Sequence, residues 1–248
     1  MPTGRFGYRE IAAELRDRID SGALAPNAKV PGENELMATY GVEQPTARRA
    51  LDVLKNEGLI VARRGAGTFV REFRPIRRVS PNRLQEAVWS GGESIWTADD
   101  PDRRPDVRSI AITREAPPAS VSGALGLTEG EEVLVRRRTY AIEDRPVQLA
   151  TSYYPAALVA GSPIGEEDTG PGGAYGRLAD LGCKPIRFRE EVRCRMPRAE
   201  EADALHLAQG TPVIMIVRTA YTAEDLAVEV NEMVLDSASY VLEYRFTS

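Results

Sequence analysis

Between Tyr8 and Val70 the chain holds three short amphipathic stretches, each closed by a glycine, and then two β-rich stretches around Arg64-Gly65-Ala66-Gly67. No other feature of the sequence limits the fold as tightly. In the first stretch, roughly Tyr8 to Ser21, Ile11, Leu15 and Ile19 recur at i, i+4 and i+8 and form one apolar stripe of a helix. Gly22 suits the left-handed residue that closes such a helix. Pro26 and Pro31 bracket an extended link. A second helix is expected over roughly Gly32 to Tyr40, burying Leu36, Met37 and Tyr40, with Gly41 permitting a sharp turn. A third is expected over roughly Gln44 to Glu57. Pro45 lies in its first turn, where a missing N–H costs nothing. Ala47, Ala50, Leu51 and Leu54 face inward, and Gly58 stops it. Leu59–Ala62 and Thr68–Val70 should pair as a hairpin.

Small residues at Ala47 and Ala50 let the third helix pack closely, which leaves Gln44, Thr46, Arg48 and Arg49 on its outer face. Arginine can bond guanine O6 and N7 in a bidentate way, and glutamine can do the same for adenine N6 and N7. The glycines Gly65 and Gly67 let backbone approach a phosphate or the minor-groove floor, with Arg64 alongside. Three helices and a glycine-tipped hairpin form a winged helix-turn-helix, a device that lays one helix in a DNA major groove. The net charge of −5 argues against such a role only when taken over the whole chain. Residues 1–78 hold 14 Lys/Arg against 10 Asp/Glu, whereas residues 79–248 hold 18 against 27. A basic head on an acidic body puts the phosphate-facing surface at the N-terminal end.

The head closely resembles the DNA-binding domain of GntR-type bacterial repressors. The matching residues are Glu33, Glu35-Leu36, Tyr40-Gly41-Val42, Thr46, Arg48, Ala50-Leu51, Glu57-Gly58-Leu59, Gly65 and Gly67-Thr68-Phe69-Val70. The chain departs from that pattern at Gly32, where the family has a capping serine. It departs again at Glu43-Gln44, where the family has Ser-Arg and the Arg contacts DNA. The resemblance therefore implies an altered operator.

Residues 71–105 read as an irregular linker: Arg74-Pro75, Arg77-Arg78, Ser80-Pro81, Gly91-Gly92 and Asp99-Asp100-Pro101-Asp102, with a short helical piece near Arg83 to Val88. Trp89 and Trp96 stand out within it, as pocket covers or as packing. Beyond, strands are expected near 107–114, 132–142, 146–154, 186–196, 211–222, 226–236 and 240–246. Helices are expected near 119–125, 155–160, 174–181 and 198–207. Two strand pairs are joined by the short links Glu143-Asp144-Arg145 and Ala223-Glu224-Asp225. Hairpin-paired strands with helices on one side give an α+β layer. The expected division is a DNA-binding domain over 1–72, a linker over 73–105 and a body over 106–248.

The body resembles the UTRA effector domain of the histidine-utilisation-repressor branch of the GntR family. The matching phrases are Arg136-Arg137-Arg138-Thr139-Tyr140, Arg145-Pro146-Val147, Ser152-Tyr153-Tyr154-Pro155, Gly210-Thr211-Pro212-Val213 and Ala227-Val228-Glu229-Val230. Arg74-Pro75-Ile76-Arg77-Arg78 and Ser94-Ile95-Trp96 look like an actinomycete sub-branch, in keeping with 29 Arg among 32 basic residues. The resemblance implies a six- or seven-stranded antiparallel sheet like that of chorismate lyase, used for ligand binding and dimerisation. It places Arg138, Tyr140, Ser152, Arg218, Glu229 and Tyr240 at effector-facing positions, with Trp96 as a cover. Tyr140 stands where another Arg is expected, and Ala150-Thr151 replaces a common acidic pair. Both changes favour an effector less charged or more aromatic than a sugar phosphate.

Catalytic chemistry has little to build on. His206 is the only histidine, and no GxSxG, HExxH, P-loop or GxGxxG occurs. Cys183 and Cys194 lack metal-ligand spacing, and two thiols suit a reducing cytosol. Gly170-Pro171-Gly172-Gly173 can form an anion nest or simply end a loop. No cofactor, metal or catalytic residue is expected. The expectation is a cytoplasmic, homodimeric transcriptional regulator, a repressor that leaves double-stranded operator DNA when a small-molecule effector binds. The alternatives are a lyase-like enzyme and a ligand-free constitutive repressor of the plasmid-transfer type.

Overall fold

A computed structural model describes residues 6–63, 65–72, 75–80, 84–90, 106–142 and 145–245. The chain divides into two compact units, Met1–Arg74 with Leu207–Thr211, and Pro75–His206 with Pro212–Ser248.

In the first unit, helices α1 (Tyr8–Asp20), α2 (Glu33–Tyr40) and α3 (Gln44–Asn56) precede strands β1 (Ile60–Arg63) and β2 (Gly67–Val70). Ile11 and Leu15 of α1 meet Leu36 of α2 and Ala47, Ala50, Leu51 and Leu54 of α3 in one core. Met37 and Tyr40 pack only at its edge. Burying this stripe is what holds helices of 8 to 13 residues together, since alone they would be marginal in water. Glu57 takes a fork of hydrogen bonds from Arg16, 2.6 to 3.0 Å long, and so ties the end of α3 to α1. The hairpin β1–β2 is antiparallel, with Arg63 opposite Gly67. Val30 N–H donates to the Thr68 carbonyl and Val70 N–H to the Ala28 carbonyl, so the link after α1 lies alongside β2 as a third strip.

The second unit is built on one six-stranded, wholly antiparallel sheet. Its strands are β4 (Asp106–Glu115), β5 (Val133–Ile142), β6 (Arg145–Pro155), β7 (Arg187–Arg195), β8 (Val213–Tyr221) and β9 (Ala227–Asp236). Their order across the sheet is β4-β5-β6-β9-β8-β7. Helices α4 (Glu86–Ser90) and α6 (Gly173–Asp180) and the turn Pro163–Gly165 cover one face through Trp89, Tyr175, Leu178 and Ile164. Helix α5 (Ala119–Leu125) packs with Val133, Val135, Tyr153 and Val230 in a separate cluster. These residues alternate in sequence with those of the first face, as a pleated strand requires.

Three expectations are corrected. Residues 76–80, assigned to an irregular linker, form strand β3 (Ile76–Ser80) of this unit, with Ile76, Arg78 and Ser80 buried. The seventh strand, β10 (Tyr240–Tyr244), does not join the main sheet. It pairs in parallel with β3, Tyr240 opposite Ile76. The helix expected near 155–160 is a run of turns. Bonds from Leu158 and Val159 to the Pro155 carbonyl begin a helix. It cannot propagate through Gly161 at φ +71° or Ser162, which is extended. Helix α7 (Ala199–Ala204) stops short of His206, which is exposed at φ 50°. Gly172 takes the left-handed start of α6, and a Cβ there would lie 2.8 Å from the Trp89 carbonyl. The glycine run therefore serves a close approach within the unit.

Candidate DNA-reading and effector-binding surfaces

On α3 the outer face carries Gln44, Arg48 and Arg49, all exposed, with Thr46 half-buried. One residue of α2 organises this face. Glu33 accepts hydrogen bonds from Gln44 Nε2 at 2.8 Å and from Arg48 Nε and Nη2 at 2.9 and 3.1 Å. Arg48, then Gln44, hold the Glu33 carboxyl below the usual carboxylate range. The two candidate base readers are thus set side by side before any DNA is met. Arg49 lies over the Tyr8 ring, 4.2 Å from its centroid, a cation–π contact that fixes a long side chain. In the wing, Gly65 and Gly67 have φ of +74° and +114°. A Cβ on Gly65 would meet nothing within 4 Å. Glycine is favoured there by backbone conformation rather than by crowding. Arg63 stacks on Phe69 at 4.6 Å and donates to Asn27 Oδ1 at 2.6 Å. Arg64 lies outside the described residues.

In the second unit one transverse row crosses all six strands: Ile112, Arg136, Ser152, Asn231, Arg218 and Glu190 are successive register partners. Direct opposition brings neighbouring side chains within roughly 5 Å at Cβ. Five polar residues thus stand side by side on the face that α4 and α6 cover. Arg138, two residues along from Arg136 on the same face, donates to Ser152 Oγ. Glu229 accepts from Tyr154 Oη at 2.7 Å and from Tyr175 Oη at 2.9 Å. Burial, reinforced by the Glu229 carboxylate, pushes both phenols up, so they remain proton donors. Arg218 lies under the Tyr175 ring, 5.5 Å from its centroid.

The arginines of this face do different work. Arg136, 3 % exposed, donates to the Ile164 carbonyl at 2.5 Å, to the Glu166 carbonyl and to the Glu167 carbonyl at 3.1 Å. Arg78 of β3 reaches Glu190, which also accepts from Ser80 Oγ at 3.3 Å. Arg218, 2 % exposed, has no acceptor for Nε or Nη1 among the described residues. Asn231 Oδ1, Arg136 Nε and Arg138 Nε likewise lack partners among the described residues. Among the described residues, Arg136, Arg138 and Arg218 stand on this face with the carboxylates Glu190 and Glu229, and Arg78 reaches Glu190 from β3. Burying positive charge without counter-charge is costly, and an anion entering this face removes that cost.

Sequence reasoning brings Arg138, Ser152, Arg218 and Glu229 to one place. Tyr140 and Tyr240 lie instead in a neighbouring apolar cluster with Ile76, Val147, Met233 and Leu235, with Arg138 5.8 Å from the Tyr140 ring. Trp89 packs edge-on against Tyr175 at 6.1 Å. Trp96 lies outside the described residues. Arg136, Asn231 and Tyr154 were missed, although period-2 alternation puts them on the same face as Arg138, Glu229 and Ser152. Glu190 and Arg78 could not be found that way, because strand β3 was not recognised. Among the described residues no group of acidic, His or Cys side chains could hold a metal, and no helix is long and apolar enough to cross a membrane.

Residues 7–70 match the bacterial regulatory proteins of the gntR family, and residues 101–240 match the UTRA domain. An HTH-type transcriptional regulator of Streptomyces coelicolor is 32% identical over 230 residues, 90% of this chain and 86% of that protein. The HTH-type transcriptional repressor NagR of Bacillus subtilis is 28% identical over 227 residues, 90% and 87% of the two chains. Among solved structures, a GntR-family transcriptional regulator aligns with a TM-score of 0.64 at 26% identity over 97% of both chains. PhnF from Mycobacterium smegmatis shares the fold, with a TM-score of 0.59 at 22% identity over 96% of this chain and 99% of that one. The chain therefore belongs to the GntR family, as a DNA-binding transcriptional regulator that joins a winged helix-turn-helix to a UTRA effector domain.

Proposed function

We propose that this regulator is a cytoplasmic repressor, with no enzymatic activity, cofactor or metal, that binds a two-fold operator as a homodimer. A single helix-turn-helix makes few base contacts, and two-fold symmetry doubles them. Gln44, Thr46, Arg48 and Arg49 read the major groove, and Arg64, Gly65 and Gly67 place the wing against the backbone or minor groove. The working division is 1–72 for DNA binding, 73–105 for the linker and 106–248 for effector binding, with β3 added to the body. The effector is a small molecule with an anionic group, held by Arg138, Ser152 and Arg218 beside Glu229. Tyr140 and Tyr240, in the adjoining apolar cluster, and Trp96 are the further candidate contacts. The observation that carries this reading is Arg218, buried with two nitrogens lacking acceptors on a face with excess positive charge. Such a ligand releases DNA only through a difference in its affinity for the two states of the protein.

The test is operator binding, with the operator found by selection and the effector by thermal-shift screening. Arg138→Ala and Ser152→Ala should keep wild-type operator affinity and lose release by the effector. If both variants are still released at the wild-type effector concentration, the site lies elsewhere.

A further inference from the structure

Strand β7 forms one edge of the main sheet, and along it lies a cavity of about 650 Å³, within the range of small-molecule sites. Ile186, Phe188 and Glu190 line it at every second position, on one face of the strand. Leu84 and Tyr244 extend the apolar wall. Ile186 and Tyr244, distant in sequence, are both left in water at this one chamber, 58 % and 41 % exposed. Large apolar side chains gathered in this way mark a surface that something apolar covers. The charged groups near the opening are engaged: Glu86 with Lys184, and Arg187 with Asp225 at 2.6 Å and with the Tyr221 ring. Glu190 differs, because its side chain is only 10 % exposed. It accepts from Arg78 and, at 3.3 Å, from Ser80 Oγ. Arg78 also reaches Met233 Sδ at 3.7 Å, and Arg218, 3.9 Å from Glu190, is held by the Glu229 field as well. Neither guanidinium lines the cavity, whereas the Glu190 carboxylate does. A carboxylate can take about four hydrogen bonds, so Glu190 has acceptor capacity left toward the chamber. Burial, and then Glu190 working against Arg78, push the Tyr244 phenol up, so the chamber favours a hydroxyl that keeps its proton.

We infer that this cavity is a separate small-molecule site, for a neutral apolar alcohol or phenol whose hydroxyl donates to Glu190. An anion would be set against the Glu190 and Glu86 carboxylates that line the chamber. A cation gains little there, because Arg78 already bonds Glu190 and Arg218 stands behind it. A hydroxyl uses the acceptor and carries no charge out of water, while its apolar body covers Leu84, Ile186, Phe188 and Tyr244. A sugar would bring several hydroxyls against those same side chains, whose apolar surfaces offer them no partners. Glu190 lies three strands across the sheet from Ser152, roughly 14 Å at the usual strand spacing. The inference therefore does not depend on the anion-binding reading of Arg138 and Ser152.

The test is calorimetric titration of the full chain with 4-propylphenol, its methyl ether, octan-1-ol, octanoate and octylamine. The phenol should bind at least about tenfold more tightly than the ether, which lacks the donor, a difference of about 1.4 kcal/mol. Octan-1-ol should bind more tightly than octanoate or octylamine. Ile186→Asn, at an exposed position, should weaken 4-propylphenol at least about fivefold with the fold intact by circular dichroism. Glu190→Gln replaces a charged acceptor with a neutral one and should narrow the preference for phenol over ether to about threefold or less. The inference is overturned if the phenol does not bind, if the ether binds as tightly, if octanoate or octylamine matches octan-1-ol, or if Ile186→Asn leaves the phenol unchanged. Should Glu190→Gln not fold, the phenol–ether comparison and the Ile186→Asn result decide.

Discussion

The two units use the same residue in opposite ways. In the head, the candidate reader Arg48 is in water: its side chain is 58% exposed and held by one surface carboxylate. In the body, Arg78, Arg136 and Arg218 are 1 to 3 % exposed. An exposed guanidinium costs almost nothing to keep and gains its worth when a polyanion arrives. A buried one is expensive unless its donors are used. The head can therefore carry its readers as a surface pattern, while the body must surround each charge with a particular set of acceptors. Where the set is nearly complete, as at Arg136, whose Nη1 and Nη2 meet three carbonyls and whose Nε alone lacks an acceptor among the described residues, the residue is structural. At Arg218 the set is less complete, with Nε and Nη1 both lacking acceptors among the described residues.

That contrast can be broken by substitution. The largest effect should come from Arg136→Met, which leaves the Ile164, Glu166 and Glu167 carbonyls without their donor. A loss of about 2–4 kcal/mol in urea unfolding is expected, against a change within about 1 kcal/mol for Arg218→Met. Equal losses for both would erase the distinction between a largely satisfied buried arginine and one with more open donors. Next, Arg48→Ala should cost about 1–3 kcal/mol of specific operator binding and leave stability within about 0.5 kcal/mol. Equal weakening on operator and random DNA would make Arg48 a phosphate contact. Gly65→Val forces a β-branched residue to φ +74° at a cost of about 1–2 kcal/mol. It should abolish operator binding while the fold is intact by circular dichroism; near-normal operator affinity would make the wing a spectator.

The smallest effect concerns Glu33. Its folded carboxyl titrates below the ordinary value, so its contribution is present above that value and is lost as pH falls through the lower, folded one. Wild type should exceed Glu33→Gln in stability by no more than about 0.5 kcal/mol at neutral pH. The two denaturation curves should converge in acid. A gap that persists there would assign Glu33 a role unconnected with its charge.

The head was legible because its helices obey one period and its turns need glycine, so each element declares itself locally. The main sheet was legible for a similar reason, its six strands being long and joined mostly by near neighbours. What failed was β3. Ile76, Arg78 and Ser80 point inward, and two of the three are polar, so hydrophobic alternation gives no strand signal. Its partner is parallel and lies at the far end of the body, beyond the reach of any short window. The candidate effector face was half visible for a related reason. In Arg136-Arg137-Arg138 the three residues look alike, and only the pleat separates the exposed Arg137 from the other two. Whether Arg136 or Arg138 is free depends on the Ile164–Glu167 loop, which the strand itself does not encode.

The pairing of β3 with β10 also sets an order of events during synthesis. The head and β3 leave the ribosome first, and β3 then waits for Tyr240–Tyr244, so almost the entire body must be made before Ile76 finds Tyr240. Long-range parallel pairing of this kind is slow, and an unpaired strand is exposed to wrong partners while it waits. Glu190, the partner of Arg78, emerges in the same interval, well after the arginine it will hold. A nascent chain can thus have a DNA-reading helix in place while the strand that follows still lacks its mate. The fold of the body is the last thing this chain completes as it is made.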